Sequence, residues 1–341
     1  MQHNATSLAI KLKLCYNISM RKNNPEIITG RKIAEIAGVS PATVSRVFSG
    51  HPGISGSVRS KILRIAADMG FKPDKNRKAK TIALILPEPI QSLDIYFDLI
   101  LKNLVRELKK DGFMIEMCYS NDLDSINEQI IAGAVSVEVR NKIALNWAKR
   151  RNIPLVCLND FNYQLGGIFS VCSNDRQGIQ CAVEELHRHG HQEIGLIYYS
   201  ENIKNQYDRY KIYNEFVKHY HLHGIGIEME DAEDFDRIAG RIPGKVTALI
   251  LTDENKGVRL VHQLKQSGLR IPEDISLVVW EIPQMSCYLD PPLTAVGQNF
   301  PELARQAKSM LKQLIAGNSP DHDVLVDYQF FPRRSVKTLS H

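Results

Sequence analysis

From Thr81 onward the chain exchanges two hydrophobic periods, and this most narrows what it can fold into. Short apolar runs at 82–86, 113–118, 132–137, 154–158, 194–198, 248–251 and 277–280 alternate with amphipathic stretches at 95–110, 140–151, 176–189, 203–220 and 256–266. Short runs rich in Val, Ile and Leu read as strands buried on both faces. The longer stretches, apolar every three or four residues, read as helices. Strand–helix alternation implies parallel sheets covered by helices on both sides. The region has room for two such sheets, and hence for an α/β core of two lobes. Ligands in this architecture bind beyond the carboxyl ends of the strands, in a two-lobed core within the cleft.

The 341 residues exceed one typical domain, and 43% hydrophobic with 24% charged is an ordinary globular balance. Cys15, Cys118, Cys157, Cys172, Cys181 and Cys287 are scattered without metal-ligand spacing, as expected of free thiols in a reducing compartment. No apolar run reaches the length of a membrane span. The early stretch Ser7 to Leu14 is broken by Lys11 and Lys13, unlike a secretory signal, so a cytoplasmic location is expected. Met20 is a candidate start, and residues 1–28 read as a disordered extension. The net charge of +5 is unevenly placed: between Arg21 and Lys80, 13 Lys/Arg face 4 Asp/Glu, a balance of +9. Lys11 and Lys13 add +2, which leaves 81–341 at −6. A basic head on a mildly acidic body suits a nucleic-acid-binding module on a carrier domain.

The head, 29–73, carries Arg31-Lys-Ile-Ala-Glu-Ile-Ala-Gly-Val-Ser-Pro-Ala-Thr-Val-Ser-Arg-Val-Phe48. Ile33, Ala34 and Ala37 give a short helix one apolar face. Gly38 permits a left-handed turn, and Val39 fills the angle between two helices. Ser40 suits an N-cap and Pro41 a first helical position, where a missing N–H costs nothing. Val44 and Val47 turn inward, which leaves Ala42, Thr43, Ser45 and Arg46 outside. Short side chains let a helix enter the major groove, and Arg can read a guanine edge. A third helix is expected over 57–69, with Ile62, Ile65 and Ala66 inward and Arg59, Lys61 and Arg64 toward phosphates.

This string, continued by Ile54-Ser55 and Phe71-Lys72-Pro73, resembles the N-terminal signature of the lactose-repressor (LacI/GalR) family. The resemblance extends into the body through Asn174-Asp-Arg-x-Gly178, Gly190-His191-Gln-x-Ile194, Ile271-Pro-Glu-Asp-Ile-Ser276, Ser286-Cys-Tyr288 to Val296, and Arg333/Arg334-Ser335. It implies an all-α helix-turn-helix domain followed by a two-lobed core of periplasmic-binding-protein type, 81–341. Lobe one would take 81–172 and 291–322, and lobe two 173–290 and 323–335. The family's hinge helix and its Leu wedge are missing between Pro73 and Thr81, where a basic linker, 74–80, is about six or seven residues shorter. That stretch reads as a flexible tether to phosphates, with an unusual short helix as the alternative, and not as a wedge that kinks the operator.

The resemblance also implies double-stranded, pseudo-palindromic operator DNA as a partner, a homodimer, and a sugar-like effector in the cleft. DNA contacts would come from Ser40, Pro41, Ala42, Thr43, Ser45, Arg46, Ser55 and Arg59. Effector contacts would come from Asn159, Arg209, Thr252, Asp253, Glu281 and Gln298, with Trp280 or Phe161 as an apolar face. Asn159, Thr252 and Glu281 stand where the family more often has Asp, Asn and Asp. A guanidinium fork, amides and carboxylates offer paired donors and acceptors to adjacent hydroxyls. His187-x-His189-x-His191 and His219-x-His221-x-His223 have an alternate spacing that could hold zinc. However, His187 and His189 fall at an expected helix end and His191 in a Gly-His turn, so a solvated surface is expected. Gly166-Gly167 lacks the context of a dinucleotide site. No nucleophile–base constellation stands out, so neither enzyme activity nor a metal or cofactor is expected. Two other readings remain: a transport-type sugar-binding protein, which would need a signal peptide and would not carry the basic head, and a regulator without effector response.

Overall fold

The computed structural model describes residues 29–48, 53–69, 81–87, 95–126, 130–139, 142–159, 169–199, 204–229, 238–281 and 285–340. The expected extension at 1–28, the linker 74–80, Phe161 and the Gly166-Gly167 pair lie outside these. The chain forms two compact units, 1–78 and 79–341.

The first unit contains α1 (Gly30–Ala37), α2 (Pro41–Phe48) and α3 (Gly56–Asp68). Thr29 caps α1, its Oγ1 accepting from Lys32 N at 3.3 Å. Gly38, at φ 67°, closes the helix in the left-handed region, and Val39 N–H reaches back to Ala34 O at 3.0 Å. Ser40 Oγ accepts from Thr43 N at 3.1 Å as α2 begins. Ile33, Ala34, Ala37, Val44, Val47, Ile62 and Ala66 are buried together, one small core shared by three helices.

In the second unit, β1 (Thr81–Leu86), β2 (Met114–Tyr119), β3 (Ile131–Val137), β4 (Leu155–Leu158) and β5 (Phe169–Ser173) build one sheet with β11 (Val324–Val326). Its order is β11-β5-β4-β3-β1-β2. Helices α4 (Ile95–Lys110) and α5 (Ile143–Arg151) connect its early strands. The second sheet repeats the plan with β6 (Glu193–Tyr199), β7 (His223–Met229), β8 (Ala248–Leu251), β9 (Ser276–Trp280), β10 (Thr294–Gly297) and β12 (Gln329–Phe331), ordered β12-β10-β9-β8-β6-β7. Its helices are α6 (Asp175–Arg188), α7 (Lys204–His219), α8 (Ile238–Arg241) and α9 (Gly257–Gln266). All pairings are parallel except β10 with β12. In both sheets the first strand lies between the second and the third, which creates a switch point at the carboxyl edge.

The chain passes between the sheets three times: from β5 to α6, from β10 to α10 (Phe300–Ile315), and from β11 to β12. Leu303, Ala304, Ala307 and Leu311 of α10 are buried in the core of the first sheet. This corrects two expected lobe boundaries. Residues 294–297 pair with β9 in the second sheet rather than joining lobe one at 291, and 324–326 pair with β5 in the first sheet rather than joining lobe two at 323. Strand pairing decides both: 294–297 sits between β9 and β12, and 324–326 pairs with β5, about 150 positions earlier in the chain.

Candidate functional site

Within the helical unit, Ala42, Ser45 and Arg46 are exposed on α2, together with Ser40, Pro41 and Ser55. The spacing of Val44 and Val47 produces that face, because burying them against α1 and α3 turns the intervening positions outward. Thr43 is half-buried, its hydroxyl 2.9 Å from Ser40 Oγ. Arg59 is half-buried and its Nη1 donates to Val47 O at 3.3 Å, so it braces the end of α2.

At the carboxyl ends of the strands, the carried-over effector residues fall into separate groups. Asn159 follows β4 at φ 50°, a conformation Asn tolerates better than most residues. Its Nδ2 donates to Tyr96 Oη at 2.7 Å and to Gln298 Oε1 at 2.9 Å. Its Oδ1 accepts from Ser173 N at 2.9 Å. Gln298, in the second crossover, also accepts from Ser173 Oγ at 2.8 Å and donates to Glu254 Oε1 at 2.9 Å. Glu138, at the end of β3, completes the chain through the Tyr96 phenol. Burial raises the pKa of Tyr96 well above normal, with Glu138 adding to it, and burial also raises that of Glu254. This network runs from the first sheet to the second.

The second group centres on Arg209 of α7, which is 2% exposed. Its Nε donates to Asp175 Oδ1 at 3.0 Å, Nη1 to Thr252 O at 2.7 Å and Nη2 to Tyr328 Oη at 3.0 Å. Tyr328 Oη donates to Asp175 Oδ1 at 2.6 Å. Burial opposes the Arg209 charge, and Asp175, Tyr328 and Glu254 more than restore it. Asp175 starts α6 just past the first crossover and Tyr328 lies in the third, so one guanidinium ties two crossovers to the end of β8. Thr252 Oγ1 donates to Gln206 Oε1 at 2.5 Å, while Asp253 Oδ1 takes the N–H of Asn255 at 2.8 Å.

Glu281 and Trp280 are successive residues, and strand alternation sends them to opposite faces. Trp280 packs with Tyr328, ring centroids 5.6 Å apart, and Arg209 lies 5.4 Å over its ring. Glu281 Oε2 instead accepts from Arg333 Nη1 at 2.7 Å. A Cβ on Gly297 would meet Glu281 Cβ at 2.9 Å and Phe331 at 3.0 Å. Glu281 is thus not brought together with Arg209, Thr252 and Gln298, and Trp280 takes the face expected of it. Trp280 Nε1 and Glu281 Oε1 are buried without a hydrogen-bond partner among the described residues. Sequence reasoning missed Tyr96, Glu138, Ser173, Asp175, Gln206, Glu254 and Tyr328. Only Glu254, beside Thr252-Asp253, and Asp175, at a helix start, carried a local signal.

The histidine runs separate. His187 and the capping His189 lie at the end of α6, but His191 is fully buried, against the expectation of solvent. Its Nδ1 is 2.9 Å from Thr247 Oγ1 and its Nε2 is 3.2 Å from Lys337 O. A neutral ring protonated at Nε2 satisfies both by accepting from the hydroxyl and donating to the carbonyl. His219 ends α7, His221 turns at φ 56° and His223 starts β7, so the three do not share a strand face. Among the described residues no group of three or more His, Cys, Asp or Glu could hold a metal ion, and no helix is long and apolar enough to cross a membrane.

Three short helices presenting small side chains and an arginine, joined in one chain to two parallel sheets of binding-protein type, define a helix-turn-helix regulator on a binding-protein core. Residues 31–74 match the family of bacterial regulatory proteins, lacI family, and 183–336 match the periplasmic binding protein-like domain. The chain is 26% identical to the probable HTH-type transcriptional repressor ExuR of Bacillus subtilis, over 92% of this chain and 100% of that one. It is 24% identical to the HTH-type transcriptional repressor CytR of Escherichia coli K12, over 93% and 99%. Among solved structures, the lac repressor dimer bound to operator and the anti-inducer ONPF superposes with a TM-score of 0.67 at 20% identity, covering 92% of this chain and 100% of that one. A CelR–cellobiose complex gives 0.67 at 21%, covering 90% and 99%. A ribose-bound regulator from Enterococcus faecium gives 0.65 at 20%, covering 76% and 100%. The chain thus carries a lacI-family DNA-binding domain on a periplasmic-binding-protein-like core, and it is a DNA-binding transcriptional regulator.

Proposed function

We propose that this regulator is a cytoplasmic repressor that grips a pseudo-palindromic operator as a homodimer and changes its hold when a saccharide-like effector enters the cleft of its core. The exposed face of α2, with Ala42, Ser45 and Arg46 over a buried Val44 and Val47, carries the DNA half of this reading. A helix with such a face enters the major groove, Arg46 reading a base edge and Ser40, Pro41, Thr43 and Ser55 fixing its register. Arg59 supports α2 from behind. Cellobiose and ribose in two structural relatives favour a sugar. Here the contacts would come from Asn159, Arg209, Thr252, Asp253 and Gln298 at the strand ends, with Trp280 as the apolar wall. Glu281 would act only through Arg333. The short linker, 74–80, lacks a Leu wedge, so the operator would be read mainly from the major groove and phosphates.

Selecting binding sites from a random duplex library and then titrating saccharides against the complex by fluorescence anisotropy tests the whole reading. A palindromic consensus whose affinity shifts with one saccharide is the expected result. Uniform binding to all duplexes, or indifference to every saccharide, would sink the corresponding half. A gel-based bending assay on the selected site should show little central kink, and a sharp one would refute the role assigned to the linker.

A further inference from the structure

The charged side chains of the two strand-end networks are Glu138, Asp175, Glu254 and Arg209. Arg209 is the cation among them. Its Nε faces Asp175, and its other two nitrogens donate to the Thr252 carbonyl and the Tyr328 phenol. Its charge faces Asp175 directly and also acts on Glu254, so three acids share one cation. Glu254 takes its hydrogen bond from the neutral amide of Gln298; burial raises its pKa, and Arg209 and that hydrogen bond oppose the rise. Beneath Arg209 and beside Tyr328 stands a polar atom awaiting a partner: Trp280 Nε1, on a fully buried side chain at the carboxyl end of β9, has none among the described residues. A buried donor left unmade is costly, and at a strand end next to Arg209 it points to an acceptor supplied by a bound molecule.

We infer that the effector carries no net negative charge: it is a neutral or amino-bearing saccharide, not a sugar acid or sugar phosphate. This rests on the reading that the effector is a saccharide bound at the strand ends. A hydroxyl can donate to Glu254 while another oxygen accepts from Trp280, and an ammonium would suit Glu254 and Glu138 equally. A carboxylate or phosphate would meet these acids at close range, where low polarity weakens screening, and would have to compete with Asp175 for Arg209. The trio of Arg209, Asp175 and Tyr328 is closed on itself and would have to open to receive an anion.

The test uses the full-length protein and matched sets: galactose, galacturonate and galactosamine; glucose, glucuronate, glucosamine and glucose 6-phosphate. Thermal shift ranks them and calorimetry gives the affinities. A neutral or amino member of a set binding at least tenfold more tightly than its acid or phosphate supports the inference. An acid or phosphate binding as tightly as its neutral counterpart overturns it while leaving the saccharide reading intact. No response to any member overturns the saccharide reading, and the inference with it. Glu254→Gln, confirmed as folded by its melting curve, should narrow the gap between neutral sugar and acid. An unchanged gap would remove Glu254 from the explanation and overturn the electrostatic basis of the inference. If that variant does not fold, the wild-type series alone decides.

Discussion

Arg46 and His191 show how differently two single residues bear on this protein. Arg46 is exposed on the outer face of α2. Its replacement by Ala should cost about 1–3 kcal/mol in binding to the selected operator, with non-specific duplex binding nearly unchanged. Equal losses on specific and random DNA would reduce Arg46 to a phosphate contact. His191 is buried, and desolvation pulls its pKa down from 6.5 to about 4. An unfolded chain takes up a proton on this ring near pH 6.5, whereas the folded one resists until about 4. The unfolded state thus binds more protons between those values, and stability falls as pH drops through that window, by about 3 kcal/mol. Urea midpoints at pH 7.5, 5.5 and 4.5 should decline more steeply for the native protein than for His191→Gln, and parallel declines would contradict the assignment.

Gly178 of α6 illustrates what an element owes to its neighbours. Helix propensity alone favours Ala there by about 1 kcal/mol. In the structure a Cβ at this position would stand 2.8 Å from Tyr328 Cδ2, and Tyr328 holds both Asp175 and Arg209. Gly178→Ala is therefore expected to destabilise the protein by about 1–3 kcal/mol and to blunt any effector response; a gain in melting temperature would show that the ring moves freely. The buried pair below it gives a companion prediction. Arg209→Met leaves Asp175 charged without its cation and should cost about 3–5 kcal/mol, while adding Asp175→Asn should recover part of that loss. Additive losses in chemical denaturation would mean the pair is not coupled. Apolar runs made β1, β3, β4, β6, β8 and β9 visible in the sequence. By contrast β11 and β12, three residues each, carry no period to detect, and β7 is interrupted by Gly224 and Gly226.

At the scale of the molecule, regulation requires that effector and operator favour different states of one protein. Coupling of that kind is reciprocal and usually amounts to about 1–3 kcal/mol. Whatever factor the effector changes in operator affinity, saturating operator should change by the same factor in effector affinity, as paired calorimetric titrations can measure. Unequal factors would point to a second binding event. Saturating effector, at about a hundred times its dissociation constant, should add about 2.7 kcal/mol to the stability of the free protein. The three crossovers are where lobe movement would register, and the Asp175–Arg209–Tyr328 cluster joins two of them.

The amino-acid sequence by itself determined the two periods, the caps and turn of the helical head, and the uneven charge. All of these are local, set by residues within a turn or a strand of one another. It also placed Thr252 just past the apolar run 248–251. Tertiary structure alone decided that Trp280 rather than Glu281 stands with Arg209, because that follows from which face of β9 meets α6 and α7. It alone decided that Asn159 meets Gln298, 139 positions away, and that the chain changes sheets after Gly297 and again after Val326. Such contacts are made by strand pairing and burial between distant segments, and no short window of sequence contains both partners.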